Sequence, residues 1–191
     1  ATRTPHNLAH TPGGSSSGSA AAVAAGMVPL ALGTQTAGSV IRPAAFCGVW
    51  GMMPSLGAIP CTGTLKLSET LDHLGVFANS AKGLALGIDA ISGEDGIDPV
   101  AAGLPPTRLS ATLAAPLARP RLAFLRGPTW NEVTPDCAER YEQLAERLGA
   151  ETRDMGEEFA DIVAAHQTVM FAEIGHNMWP LYERAGTTLS E

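Results

Sequence analysis

Two neighbouring stretches decide the fold of this 191-residue chain: TPGGSSSGSAAAVAAG at residues 11–26 and LGTQTAGSVIRPAAFCGVWG at residues 32–51. The first opens with Pro, Gly and Ser, which predict a loop. It continues with SGSAAAVAA, residues 17–25, whose cap-type serine and alanine-rich helix formers predict a short buried helix. Val28–Leu32 suits a buried strand, and the small residues at 33–39 predict a tight turn after it.

Strand and helix patterns alternate along the rest of the chain. The predicted elements are a helix with Pro43 at its first position, a strand at Val49–Met53, a helix from its cap Ser80 to Ile91, a strand at Arg121–Arg126, a helix from Thr134 to Gly149, and a last helix from about Phe159 to Trp179, before Pro180. This alternation predicts an α/β fold. Gly and Pro residues at 93–106 mark a surface connection, which divides the chain into a core at 1–103 and its strand-helix continuation at 104–191.

Composition excludes several classes of partner. A net charge of −7 with only 12 Lys and Arg residues gives no basic surface for nucleic acid. Cys47, Cys61 and Cys137 fit neither a disulfide framework nor zinc-ligand spacing, so we expect a reducing, cytoplasmic location and no metal. The longest weakly polar run, Ala20–Gly33, is too short to span a bilayer, so no membrane segment is predicted.

The two stretches together resemble the amidase signature family. Its defining sequence pairs a Gly-Gly-Ser-Ser loop with a serine in a Gly-Ser-hydrophobic context, 24 residues after the first serine of the loop, and the corresponding positions here are Ser15 and Ser39. Leu71-Asp72-His73-Leu74-Gly75 is similar to a third family element. The resemblance implies an α/β/α fold with a mixed central sheet surrounded by helices, present here as an internal fragment with an incomplete sheet.

The resemblance also implies a reaction, the hydrolysis of a carboxylic amide to an acid and ammonia or amine. A serine hydroxyl is a weak nucleophile at neutral pH and needs a base, which in this family is a lysine held neutral by its surroundings. By position Ser39 is the nucleophile and Ser15 is the proton bridge to the lysine. A cis peptide bond is expected between Gly14 and Ser15, with Gly13, Gly14 and Ser16 supporting the loop.

The turn before the nucleophile supplies the candidate oxyanion hole. Its small residues let a carbonyl oxygen approach the backbone closely, and preorganised amide donors stabilise a tetrahedral intermediate. The candidate donors are the backbone amides of Thr36, Ala37, Gly38 and Ser39. No cofactor is implied.

Arg42 is the candidate substrate-binding residue. Many family members place an arginine two residues after the nucleophile, whereas here Ile41 stands there and Arg42 is third. This arrangement is similar to that of malonamidase, whose arginine receives a substrate carboxylate. It suggests a small anionic amide as the substrate, with a simple ion-pairing arginine as the alternative.

The catalytic lysine of the family has no counterpart in this chain. Lys66 and Lys82 are the only lysines, and both follow Ser39, whereas the lysine of the family lies well before the glycine-serine loop. We therefore expect that the chain is a piece of a longer protein, that the lysine lies upstream of it, and that the isolated chain is inactive.

Other interpretations of the same residues stay open. The loop resembles a flexible Gly/Ser linker, a phosphate cradle without the Gly-Lys-Ser/Thr ending, or the G-x-S-x-G elbow of α/β-hydrolases followed by Asp72 and His166. The elbow serine must follow a strand, and residues 7–12 predict a loop. Within the family the alternatives are the A subunit of a glutamyl-tRNA amidotransferase, which works with protein partners and tRNA, and a non-enzymatic scaffold.

Overall fold

The computed structural model describes residues 1–115 and 120–186. The described residues form two compact units, one made of Ala1–Ala115 with the segment that begins at Met170, the other lying within Pro116–Val169. Both units combine helices with strands, so the predicted α/β class is confirmed.

A three-stranded antiparallel sheet organises the first unit. Its strands are β1 (Leu30–Gln35), β2 (Trp50–Met52) and β3 (His73–Ala78), in the order β1-β3-β2. The central strand β3 pairs with β1 from Leu30↔Ala78 to Gln35↔His73, and with β2 from Trp50↔Ala78 to Met52↔Val76. The sheet therefore brings the end of β1 beside the start of β3.

Strand β1 differs from the prediction in its position along the chain. It begins two residues later than the expected Val28 and continues three residues beyond Leu32, to Gln35. Pro29 has no N–H to donate to a ladder, and the residues after Leu32 find pairing partners in β3, which sequence patterns did not predict as a strand. The turn to Ser39 therefore starts only after Gln35.

Two short helices pack beside the sheet. Helix α1 (Ser17–Ala24) agrees with the prediction, and α2 (Ile41–Cys47) begins two residues before Pro43 and ends at Gly48, whose φ of 63° lies in the left-handed region. Their buried faces join Phe77 of β3 in one apolar cluster, whose buried members are Ala20, Ala21, Val23, Val40, Ala44, Cys47 and Phe77. This packing fixes the two helices, which lie within the two family-like stretches.

Helix α3 (Ala81–Ile91) covers the other part of the core. Its predicted cap is confirmed, since the Ser80 hydroxyl accepts a hydrogen bond from the Gly83 N–H at 3.1 Å. The cluster around it contains Ile59, Val76, Ala78, Leu84 and Ile88. A short helix, α4 (Leu109–Thr112), follows.

The second unit contains a strand-helix-strand arrangement. Strands β4 (Ala123–Arg126) and β5 (Glu151–Asp154) are parallel and are connected through α5 (Pro135–Leu148). Two 3-10 turns lie at Trp130–Glu132 and Glu157–Phe159. The predicted helix from Thr134 to Gly149 is thus confirmed.

The last described helix is longer than predicted. Helix α6 spans Ile162–Ala185, so the expectation that it ends before Pro180 is wrong. A proline inside a helix removes one backbone hydrogen bond and crowds the carbonyl four residues earlier, which here belongs to His176. Both residues are exposed, so water can satisfy that carbonyl. Across the described residues, no helix has the length and apolarity needed to cross a membrane.

Candidate active site

The loop before α1 is shaped by a close approach to α2. Gly13 has a φ of 76°, and a Cβ built on it would lie 3.0 Å from the Pro43 Cα and 3.2 Å from the Phe46 ring. A side chain at residue 13 therefore meets backbone as well as an unfavourable dihedral. The predicted cis peptide bond between Gly14 and Ser15 is present.

Three serines after the cis bond tie the loop to nearby backbone. The hydroxyls of Ser16, Ser17 and Ser19 donate to the carbonyl oxygens of Thr34 at 3.3 Å, Gly13 at 2.6 Å and Leu32 at 2.7 Å. The Ser15 side chain is exposed, and its hydroxyl has no partner among the described residues. Among these four serines, Ser15 is the one whose hydroxyl forms no hydrogen bond with a described residue.

A buried glutamine organises the turn that carries Ser39. The Gln35 side chain is 6% exposed, and its Oε1 accepts hydrogen bonds from the N–H groups of Val40 at 2.8 Å and Ile41 at 2.9 Å. Its Nε2 donates to the Met53 Sδ at 3.0 Å. One side chain therefore links the end of β1 to the start of α2, and Ser39 lies in the turn between them.

The loop and the turn meet directly. The Ser16 N–H donates to the Ser39 carbonyl at 3.3 Å. A Cβ on Gly33 would lie 2.6 Å from the Ser16 Oγ and 2.7 Å from the Phe77 ring, so glycine is required for this approach. Within the described residues no hydrogen bond joins the hydroxyls of Ser15 and Ser39; the link runs through the backbone.

Backbone donors surround the half-buried Ser39. In residues 1–115 and 120–186, the N–H groups of Ala37, Gly38 and Ser39 donate to no protein acceptor. The neighbouring Thr36 is held through its side chain, whose Oγ1 donates to the Asp72 Oδ1 at 2.6 Å. A bound carbonyl oxygen or oxyanion could accept from the free amides of this turn.

The Arg42 side chain folds back over the same turn. A Cβ built on Gly38 would lie 2.9 Å from an Nη atom of Arg42, which places the guanidinium against the backbone of residue 38. Arg42 is exposed and forms no salt bridge with any described residue. A cation next to Gly38 is suited to a negatively charged group beside Ser39.

The other reactive side chains near these stretches have structural partners. Cys47 is fully buried, and this burial raises the pKa of its thiol. The His6 ring bonds the Cys47 carbonyl oxygen at 2.8 Å, and His73 Nδ1 bonds the Leu71 carbonyl oxygen at 2.7 Å. The described residues contain no group of three or more His, Cys, Asp or Glu side chains placed to hold a metal ion.

The hydrolase-elbow interpretation is wrong in its structural context. Ser16, the central serine of G-x-S-x-G, follows a loop of turns and bends rather than a strand. Asp72, the acid of that interpretation, already accepts hydrogen bonds with both carboxylate oxygens, from the Thr36 hydroxyl and from the N–H groups of Leu67 and Ser68.

Sequence reasoning did not identify Gln35 or Asp72 as part of the site. Gln35 belongs to the second family-like stretch, and Asp72 belongs to the third family-like element. The position of each residue within a family-like motif was the feature of the sequence that could have indicated its role. Their bonding partners lie up to 36 residues away in the chain, as for the Thr36–Asp72 pair, and become visible only in the fold.

The sequence of this chain is similar to those of known proteins. AtzE, which is part of the 1-carboxybiuret hydrolase of Pseudomonas sp. (strain ADP), is 51% identical over 98 residues, which are 51% of this chain and 21% of that protein. The A subunit of glutamyl-tRNA(Gln) amidotransferase from Thermus thermophilus is 46% identical over 125 residues, which are 65% of this chain and 26% of that protein. The chain thus matches about a quarter of the length of these relatives.

A solved structure extends the likeness to the backbone. It is described as a vestigial protein complex that reveals the evolutionary origins of an s-triazine catabolic enzyme, and it superposes with a TM-score of 0.85 at 36% identity, over 95% of this chain and 40% of that one. The family model described as Amidase matches residues 1–179, which include both the loop of Ser15 and the turn of Ser39. The chain therefore belongs to the amidase signature family.

Proposed function

We propose that the protein containing this chain is an amidase that hydrolyses a carboxylic amide through an acyl-enzyme on Ser39. One observation carries the proposal. The Ser15 loop lies against the Ser39 turn through the 3.3 Å bond from the Ser16 N–H to the Ser39 carbonyl, beside backbone amides without a protein acceptor among the described residues.

In the proposed reaction the Ser39 Oγ attacks the amide carbonyl carbon while its proton passes to Ser15 and on to the base. The oxygen of the tetrahedral intermediate accepts hydrogen bonds from amides of the turn, for which Ala37, Gly38 and Ser39 are available. The C–N bond then breaks, and the amine leaves with a proton returned through Ser15. Water attacks the resulting ester and releases the acid and the Ser39 hydroxyl.

The family resemblance assigns the base to a lysine, which neither lysine of this chain matches. Lys66 forms an ion pair with Glu69 at 2.9 Å, and the hydrogen bond to Glu69 raises the pKa of Lys66. A lysine kept charged in this way cannot accept a proton at neutral pH. Lys82 is exposed on α3.

The direct test uses the complete gene product that contains this chain. It should release ammonia or amine from simple amides, and a fluorophosphonate should modify it at a single serine, identified as Ser39 by peptide mass spectrometry. Modification of another serine, or no turnover of any amide in a panel of aliphatic and aromatic amides, would reject the proposal. A non-enzymatic scaffold would give the second of these results.

We propose further that Arg42 receives a substrate carboxylate. A charge-assisted hydrogen bond contributes about 1.5–3 kcal/mol, so Arg42→Ala should lower kcat/KM for an anionic amide by roughly 10- to 150-fold. The comparison substrate is the same amide with its carboxylate converted to a methyl ester. Hydrolysis of its amide bond should change by less than about threefold, because this substrate lacks the charge that Arg42 binds. Steady-state kinetics on the two substrates makes the comparison.

Arg140→Ala is the matched control for Arg42→Ala, since Arg140 is an exposed arginine of α5 in the second unit. It should leave both substrates unaffected. An equal loss for charged and neutral amides in Arg42→Ala would show that Arg42 acts on the turn and not on the substrate.

The likeness to the Thermus thermophilus protein favours a second candidate, the A subunit of a glutamyl-tRNA(Gln) amidotransferase. The two candidates share the chemistry at Ser39 and differ in the acceptor of the ammonia. Glutamine-dependent conversion of Glu-tRNA(Gln) by the gene product, together with partner proteins that copurify with it, would support the second candidate. If the gene product alone hydrolyses small amides as fast as it does in the presence of those partners, the first candidate is supported.

A further inference from the structure

Asp72 connects the proposed oxyanion turn to a distant part of the first unit. One carboxylate oxygen, Oδ1, accepts from the Thr36 hydroxyl at 2.6 Å. The other, Oδ2, accepts from the N–H groups of Leu67 at 2.7 Å and Ser68 at 3.0 Å. Asp72 therefore bonds on one side to the turn and on the other to the segment that precedes β3.

The Thr36–Asp72 bond continues the β1–β3 ladder by one position. Gln35 and His73 are the last paired residues of the two antiparallel strands, so Thr36 and Asp72 are the next to face each other. Beyond this point β1 turns away toward Ser39. The side-chain bond thus joins the first residue after the ladder on β1 to the residue that precedes the ladder on β3.

Helix α6 holds the far side of this connection. The Glu173 carboxylate accepts from the Ser68 hydroxyl, from the Thr70 N–H at 3.1 Å and from the Thr70 hydroxyl at 2.8 Å, and Asn177 donates to the Leu67 carbonyl at 3.1 Å. Donation by the Ser68 hydroxyl, followed by the Thr70 groups, lowers the pKa of Glu173. Glu173 therefore stays a charged acceptor, and Ser68 is fully buried beneath it.

We propose that Asp72 is a positioning residue: it holds the side chain of Thr36 so that the amides of the turn keep the direction required to bind the oxyanion. This inference rests on the function proposed above. It gives the Asp72 of the third family-like element a role in the site. It also implies that α6 supports the turn indirectly, because Glu173 binds the segment whose N–H groups donate to Asp72. Such positioning matters because donors must lie within hydrogen-bond distance of the place where the oxyanion forms.

The test compares Thr36→Val, Asp72→Asn and the double variant of the complete gene product. Valine keeps the shape of threonine and removes the hydroxyl, while asparagine has one acceptor oxygen where Asp72 uses two. Each single variant should lower kcat by about 10- to 100-fold with a change in KM below about threefold. The double variant should lose no more than the worse single variant, because the proposed effect of Asp72 on the turn acts through the Thr36 hydroxyl, which Thr36→Val already removes.

Two measurements separate positioning from a general structural role. The affinity for a trifluoromethyl ketone, which forms a tetrahedral adduct, should fall by the same factor as kcat/KM, because both report stabilisation of the oxyanion. Thr36→Ser, which keeps the hydroxyl, should recover most of the kcat that Thr36→Val loses. Thr152→Val, the same change at an exposed position of β5, is the control.

The outcomes distinguish this inference from the proposed function. If Thr36→Val keeps kcat within about threefold of the parent while Ser39→Ala is inactive, Asp72 does not position the turn and the amidase proposal stands. If Ser39→Ala is as active as the parent, the proposed function itself fails. Should Asp72→Asn not fold, the pair Thr36→Val and Thr36→Ser decides the question.

Discussion

Replacement of Ser39 by alanine in the complete gene product should lower kcat/KM for amides by about 10⁴-fold or more. The reason is that the acyl-enzyme cannot form without the Ser39 oxygen, so only substrate binding and the backbone amides of the turn remain. Because alanine is smaller than serine and the site is half-buried, the variant should fold normally. Ammonia release and thermal unfolding measure the two effects.

Ser19→Ala is the matched control for this loss. The Ser19 hydroxyl donates to the Leu32 carbonyl at 2.7 Å, so the substitution removes one ordinary hydrogen bond, which contributes about 1 kcal/mol to stability. It should lower the melting temperature and leave kcat/KM nearly unchanged. Activity in Ser39→Ala within about tenfold of the parent would exclude Ser39 as the nucleophile.

Replacement of Ser15 should have the second-largest effect. Proton transfer by a positioned group contributes about 10²- to 10⁴-fold, so we expect a loss of that size in kcat for amides in Ser15→Ala. The loss should be much smaller for an activated ester, because a nitrophenolate leaves without a proton whereas an amine does not. Parallel assays with an amide and a nitrophenyl ester of the same acid test this difference.

Ser16→Ala provides the comparison within the same loop. Its hydroxyl makes a long 3.3 Å bond to the Thr34 carbonyl, so we expect less than about a tenfold loss, equal for amide and ester. If Ser16→Ala were the more damaging variant, or if Ser15→Ala impaired both substrates equally, Ser15 would be a loop-support residue and not a proton bridge.

Local signals predicted the helices of this protein well. The alanine-rich run of α1, the Ser80 cap of α3, and the Pro135 start and Gly149 end of α5 each act within a few residues, so the sequence carries them directly. Helix α6 shows the limit of a local rule. Pro180 normally ends a helix, yet an exposed proline removes only one bond from a long helix and the helix continues.

Two strands were not predictable from patterns of side chains. Strand β3 is buried along Gly75–Ala78, so it lacks the alternation of polar and apolar residues that marks a half-buried strand. Strand β5 has the opposite property, since Glu151–Asp154 are all exposed and charged or polar, and its pairing with β4 depends on the backbone. Both strands are defined by backbone pairing with strands distant in sequence, β3 with β1 and β2, and β5 with β4.

The site was predictable as two motifs and not as a bonded arrangement. The motifs around Ser15 and Ser39 predicted a loop and a turn, and the family resemblance implied the cis bond between Gly14 and Ser15. The roles of Gln35 and Asp72 depend on bonds from side chains to distant backbone or hydroxyl groups, which leave no periodic trace in a sequence. The roles assigned to Ser15, Ser39 and Arg42 stay predictions for the experiments above.

The bonds of Gln35 have a consequence for the serine itself. A serine at the start of a helix usually spends its hydroxyl as a cap on the unpaired N–H groups of the first turn. At α2 none of these groups needs Ser39: Gln35 accepts from Val40 and Ile41, the Gly38 carbonyl accepts from Arg42 at 2.8 Å, and Pro43 has no N–H. The Ser39 hydroxyl oxygen therefore lies just before a helix and is not needed as a hydrogen-bond acceptor for the first turn. Gln35, four residues earlier, caps the helix instead.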